Sequence, residues 1–171
     1  MSVAQGVVVA LVTNVSDPEK LGRVKVNFPW LDEKHESDWI RIATLMAGKD
    51  RGSFFMPEVN DEALVAFEHG DARFPVVIGF LWNGVDKPPA TDVRDRLLKS
   101  KNGHQIRFLD STPAGGDQGG IVIQDAMGNR ITLSNGQIKV QSVGVLVLEG
   151  ATVIIKVAGV SRVVAPTPNN I

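Results

Sequence analysis

Ile121-Val-Ile-Gln-Asp, Asn129-Arg-Ile-Thr-Leu-Ser, Gln137-Ile-Lys-Val-Gln, Val143-Gly-Val-Leu-Val-Leu and Thr152-Val-Ile-Ile-Lys-Val follow one another between Ile121 and Val164. Each run is short and rich in Val and Ile. The cuts fall at Gly128-Asn129, Asn135-Gly136, Glu149-Gly150 and Ala158-Gly159. Apolar–polar alternation with this punctuation predicts short β-strands joined by tight turns. So thin a meander cannot bury both of its faces, and no helical pattern is there to cover it. Its edge strands would stay open to association. Closure with copies of itself removes both problems. The stretch is therefore expected to be the shaft of a symmetric trimer, its apolar side chains packed around a dry axis. Ile131, Leu133, Ile138, Val140, Val145, Val147, Val153, Ile155 and Val157 are the expected inward set. The doubled runs Leu146-Val-Leu and Val153-Ile-Ile leave their phase open.

The rest of the chain is the base of that shaft. At 171 residues and 43% hydrophobic, it has material for one ordinary domain or a small domain with an appendage. No apolar run approaches the ~20 residues that span a bilayer. The start, Met-Ser-Val-Ala-Gln-Gly, carries no basic segment of the secretory kind. The absence of Cys removes disulfides, thiolate metal sites and Cys nucleophiles together. A net charge of -1 argues against a general nucleic-acid binder. Residues 1–100 carry -3 and residues 101–171 carry +2, too small a contrast to name a partner.

Gln5 to Asn14 is a continuous apolar run, expected to be a strand covered on both faces. Val15 to Gly22 is a loop punctuated by Asp17-Pro18 and Gly22. Arg23-Val-Lys-Val-Asn-Phe alternates, then Pro29 ends it. Trp39 to Leu45, Ala63 to Glu68 and Pro75 to Trp82 are further strands, and Ala47 to Ser53 is a connector. Five strands with few helical windows predict a small Greek-key barrel of the OB type. Val24, Val26, Ile40, Ile42, Leu64, Val77 and Ile78 are its expected core. Asp92 to Lys101 reads as one helical turn or as extended chain, and Pro113 to Gly120 as a loop. The expected division is 1–83 for the barrel, 84–120 for the link and start of the shaft, 121–164 for the shaft and 165–171 for a tail.

Several blocks carry a resemblance. Gly22-Arg-Val-Lys-Val-Asn-Phe-Pro-Trp-Leu, then Pro57 through Asp71, then Pro75-Val-Val-Ile-Gly-Phe-Leu-Trp-Asn-Gly and Lys87-Pro-Pro resemble the VgrG and phage baseplate-assembly-V spike family. Ser100-Lys-Asn-Gly-His-Gln-Ile and Gly128-Asn-Arg-Ile-Thr-Leu-Ser resemble its passage into a triple-stranded β-helix. The blocks run in the family's order from about Gly6 to about Leu148. The resemblance implies an all-β chain: an OB-fold collar followed by an intertwined β-helical or β-prism needle, trimeric. It also implies a mechanical role as the central spike of a contractile phage tail or related injection system. The implied place is the baseplate of the particle, assembled in the cytoplasm and meeting a target membrane only on injection. Partners implied are a hub at the collar, other baseplate and inner-tube proteins, and a PAAR-type cap at the tip. VgrG proteins carry a long hub region ahead of this segment; here the hub is expected as a separate chain. Tail-lysozyme spikes place an enzyme between collar and needle, where this chain has only Asn83 to Lys99. The two prolines of Ala165-Pro-Thr-Pro-Asn-Asn-Ile block ladder pairing, so the needle is expected to end near Val164, with Val160, Val163 and Val164 docking the cap.

No catalytic, cofactor or metal site is expected. His35, His69 and His104 are far apart and lack metal-ligand spacing. Glu68-His-Gly-Asp71 reads as a hairpin turn rather than an acid–base cluster. Asp32-Glu33 and Asp61-Glu62 are adjacent carboxylates that point apart, not a glycosidase pair across a cleft. Ser111, Thr112 and Ser134 lack a nucleophile elbow. Gly115-Gly116 and Gly119-Gly120 flank Asp117-Gln118 without the Gly-Lys-Ser/Thr of a phosphate loop. Two other classes remain as alternatives. An OB-fold oligonucleotide or oligosaccharide binder would use aromatics among Trp30, Trp39, Trp82, Phe28, Phe54, Phe55 and Phe67 with Lys25, Arg41 and Arg73. A cell-wall-degrading spike would need an acidic pair in a cleft.

Overall fold

A computed structural model of the chain describes residues 6–30, 36–111, 118–157 and 160–164. The described residues are all-β, with a single 3-10 turn among them at Glu68–Gly70. Two compact units divide at Pro88 and Pro89.

The first unit is a barrel. Its strands are β1 (Val7–Asn14), β2 (Lys25–Asn27), β3 (Arg41–Ile42), the small hairpin β4 (Ala47–Gly48) and β5 (Arg51–Gly52), β6 (Glu62–Phe67) and β7 (Pro75–Phe80). The main sheet runs β2-β1-β6-β7-β3, with β3 parallel to β7 and the other neighbours antiparallel. A backbone exchange closes it: Val24 and Ile40 each donate an N–H to the other's carbonyl, at 3.0 and 2.8 Å. A closed five-strand Greek key with one parallel pair is the OB arrangement.

Alternation decides what the barrel buries. Ala10, Val12, Val24, Val26, Ile40, Ala63, Val65 and Val77 form the core. Small β-branched side chains suit so narrow an interior. Ile42 packs against that core half-buried. Two of the expected core residues lie elsewhere. Leu64 is half-buried, since Ala63 and Val65 take the inward phase. Ile78 is 44% exposed. The register explains it: Leu64 faces Gly79 and Val65 faces Val77, so Ile78 is the extra residue of a bulge. Strand β1 is covered on one face only; Val7, Val9 and Leu11 lie exposed on the other.

The second unit is a five-stranded antiparallel meander of β8 (Asp95–Lys99), β9 (Gln105–Leu109), β10 (Gly120–Gln124), β11 (Arg130–Ser134) and β12 (Gln137–Gln141), in the order β12-β11-β10-β9-β8. Asp95 to Lys99 is thus extended, not helical. Asn135 and Gly136, at φ 49 and 74, form the turn between β11 and β12. Two successive left-handed residues match the strand twist of a tight hairpin. Val143 to Leu148 forms no strand. The hairpin β13 (Val153–Val157) and β14 (Val160–Val164) pairs apart from the meander. The tail 165–171 lies outside the described residues.

Candidate functional site

The meander's register sorts its side chains into two faces. Arg96, Phe108, Ile121, Leu133 and Ile138 stand in one cross-strand row. Leu98, Ile106, Ile123, Ile131 and Val140 stand in the next row on the same face. Nine of these ten side chains are apolar, and each of the nine is between 36% and 73% exposed. The opposite face is mixed. It carries Asp95, Arg107, Thr132, Lys139, Gln105 and Gln124 among others, and Arg107 grips Asp95 with two hydrogen bonds of 2.8 and 2.7 Å. One face is thus almost wholly apolar, while the other mixes charged and polar side chains with Leu97, Leu109 and Val122. Among the described residues, no hydrophobic side chain of the second unit reaches the burial of the barrel's core.

Four of the expected inward residues, Ile131, Leu133, Ile138 and Val140, fall together on the apolar face. Leu98, Ile106, Phe108, Ile121 and Ile123 share it and were not named from the sequence. Leu98, Ile106 and Phe108 lie on β8 and β9, which precede the stretch read as the shaft, while Ile121 and Ile123 lie within it and flank Val122, so their phase is not marked by a polar neighbour. Val145 and Val147 are exposed and belong to no strand. In the last hairpin Val153 pairs with Val164, Ile155 with Arg162 and Val157 with Val160. Val163 pairs with Ile154. Val160 lies at the turn end of the hairpin, while Val163 and Val164 lie beside Val153 and Ile154.

Two turns hold the meander's far end. Asp125 accepts from the backbone N–H of Met127 and Asn129, each at 2.9 Å, and from Asn129 Nδ2 at 2.6 Å. The Asn129 amide holds this carboxyl below its ordinary range. Asn129 Oδ1 accepts from Val143 N, and His104 Nδ1 accepts from Ala126 N at 3.2 Å. These groups are committed to backbone. At the other end Arg96 pairs with Asp110, and Arg94 holds Asp92 down to about 2.

The barrel's loops are pinned in the same way. Asp17 Oδ1 and Oδ2 accept from Arg23 Nη2 and Nε at 2.7 and 3.0 Å, and from the N–H groups of Glu19, Leu21 and Arg23. The Arg23 guanidinium holds this carboxyl well below its usual range. His69 sits at φ 53 inside its turn, flanked by the ion pairs Arg41–Glu68 and Arg73–Asp71. Lys25 contacts Glu36 at 2.8 Å and lies over the Trp39 ring at 5.5 Å. Lys25, Arg41 and Arg73, the cations a nucleic-acid groove would need, are thus each matched by a carboxylate. His35, Asp32 and Glu33 lie outside the described residues, as do Gly115, Gly116 and Asp117.

Residues 8–82, which hold β1 to β7, match the Type VI secretion system/phage-baseplate injector OB domain. Over that segment the chain carries the OB domain of the VgrG and phage baseplate V family. It is 35% identical over 112 residues to the Type VI secretion system spike protein VgrG3 of Vibrio cholerae, covering 58% of this chain and 11% of that protein. To VgrG1a of Pseudomonas aeruginosa it is 34% identical over 100 residues, covering 53% and 16%. To VgrG2a of the same organism it is 29% identical over 106 residues, covering 55% and 13%. The chain thus spans 16% or less of the length of these curated relatives. The described residues are all-β, with the injector OB domain at residues 8–82. Among its described residues no helix is long and apolar enough to cross a membrane.

Proposed function

We propose that the protein is the trimeric central spike of a contractile phage tail or injection baseplate and works mechanically. The observation that carries this reading is the meander's uncovered face. Nine apolar side chains on five strands are too many to leave in water. Each strand alternates, so the fault is not one of composition: the same strands keep a more polar opposite face. Three copies related by a three-fold axis would turn the apolar faces inward and the polar faces out. The edge strands β8 and β12 would then have neighbours. Such a shaft resists bending because its core and its backbone ladders are shared by all three chains.

In this reading the OB collar docks the hub and neighbouring baseplate proteins. The shaft is driven through the target envelope when the sheath contracts, and a PAAR-type cap covers its tip. The chemistry is packing, not catalysis. Sedimentation equilibrium of the full chain, with Ile131→Asp as the comparison, tests the core of the proposal. The wild-type chain is expected to be a trimer. The buried charge is expected to weaken assembly by more than about a hundredfold. A folded wild-type monomer at micromolar concentration would refute it.

A further inference from the structure

A groove on the barrel takes no part in the spike reading. Phe55, Phe80 and Trp82 wall a hollow of about 310 Å³ that Asp61, Glu62 and Asp86 also line. Phe55 and Trp82 are each 65% exposed and Phe80 41%. The barrel has a complete core without them. Aromatic side chains clustered in a hollow are what a partner's anchor residue packs against.

The charges say what kind of anchor. Asn83 Nδ2 donates to Glu62 Oε2 at 3.2 Å and to Asp86 Oδ2 at 3.3 Å, so both oxygens converge on one nitrogen. Glu58 N donates to Asp61 Oδ2 at 2.8 Å. These donors are neutral. Among the described residues no lysine, arginine or histidine forms an ion pair with Asp61, Glu62 or Asp86. Elsewhere the barrel does supply such partners, as in Asp17–Arg23, Glu36–Lys25, Glu68–Arg41 and Asp71–Arg73. A carboxylate has about four lone-pair sites, so each can accept more than it now does. A purely apolar occupant would bury three anions without compensation, which is costly. An acidic occupant, nucleic acid included, would be repelled. A cation on an apolar stem satisfies both walls and floor.

We propose that this groove receives an arginine or lysine side chain of a neighbouring protein. The stem lies against Phe80 and Trp82, and the cation bridges Glu62 and Asp86. Guanidinium fits better than ammonium, because it is planar, stacks on aromatic faces and forks between two carboxylates. The groove lies within one barrel, so this binding needs no trimer.

The test uses the full chain with its tryptophans labelled with nitrogen-15, giving three indole N–H signals, one of them identified as Trp82 by Trp82→Phe. The probes are Nα-acetylarginine methylamide and its neutral isostere Nα-acetylcitrulline methylamide. The arginine probe is expected to move the Trp82 signal saturably, with the Trp30 and Trp39 signals still. The double variant Glu62→Gln, Asp86→Asn, checked for an unchanged spectrum elsewhere, is expected to bind it at least about fivefold more weakly. An unmoved Trp82 signal would overturn the proposal. So would equal shifts from the citrulline probe, or unchanged affinity in the double variant.

Discussion

Asp17 shows what a single side chain does in this barrel. Its two oxygens take five hydrogen bonds and fix the whole loop from Asp17 to Arg23. Its folded pKa lies below the unfolded value, so the bond network stabilises the fold above about pH 4 and is lost as the pH falls through the folded value. Asp71, held down to about 2 chiefly by Arg73, acts in the same direction. Acid is therefore expected to lower the barrel's melting temperature between about pH 4 and pH 2, and Asp17→Asn to lower it at pH 7 while shrinking the acid loss. Thermal melts across that range check this; an unaltered acid limb in the variant would assign the loss to other groups. In the core, Ile40→Ala should cost about 2–5 kcal/mol in a urea titration, because Ile40 is 3% exposed and closes the barrel against Val24. The inward phase of Val24, Val26, Ile40 and Val77 was legible from alternation alone. Ile78 was not, because a one-residue bulge flips the phase and leaves no mark in the composition.

At the scale of elements, the β10–β11–β12 hairpins were written plainly in the chain: alternating runs, with Asn135-Gly136 supplying two left-handed residues. The run from His104 to Asp110 also reads as β and holds β9, whereas β8 was harder to see. Arg96 and Arg107 interrupt the apolar pattern here, and each is explained only by a partner at a distance: Asp110 and Asp95. Val143 to Leu148 is the converse case. It is apolar enough to read as a strand, yet it has no ladder within one chain. The pairing of β9 with β10 depends on a residue that no apolar pattern flags. Gly119 has φ 72, and a Cβ there would lie 1.9 Å from the Leu109 carbonyl oxygen. No side chain can shift to relieve a clash with backbone. Gly119→Ala is expected to cost more than about 2 kcal/mol and to raise amide exchange along Gln105–Leu109 and Gly120–Gln124. Wild-type protection in those strands would show that the approach is relieved by backbone movement.

On the scale of the molecule, the two units differ in what keeps them folded. Residues of the first enclose their own core, from Ala10 to Val77. Those of the second hold a ladder of strands whose apolar face is open. A five-stranded sheet with one uncovered face gains little from burial and still bears the entropy of ordering its backbone. If association of three chains supplies the missing burial, the second unit's stability must depend on protein concentration, as it does for any oligomer whose folded state is the associated one. The barrel's must not. Two thermal transitions are therefore expected from the full chain. Indole fluorescence reports the first unit, since Trp30, Trp39 and Trp82 all precede Pro88. Its midpoint should stay fixed over a hundredfold range of concentration. Amide exchange in β8 to β12 reports the second, and its midpoint should rise steadily with concentration. With Ile131→Asp, the second transition should fall to low temperature while the first is unmoved. A second transition independent of concentration would mean that the meander is covered from within its own chain, and the trimeric shaft would lose the observation that supports it.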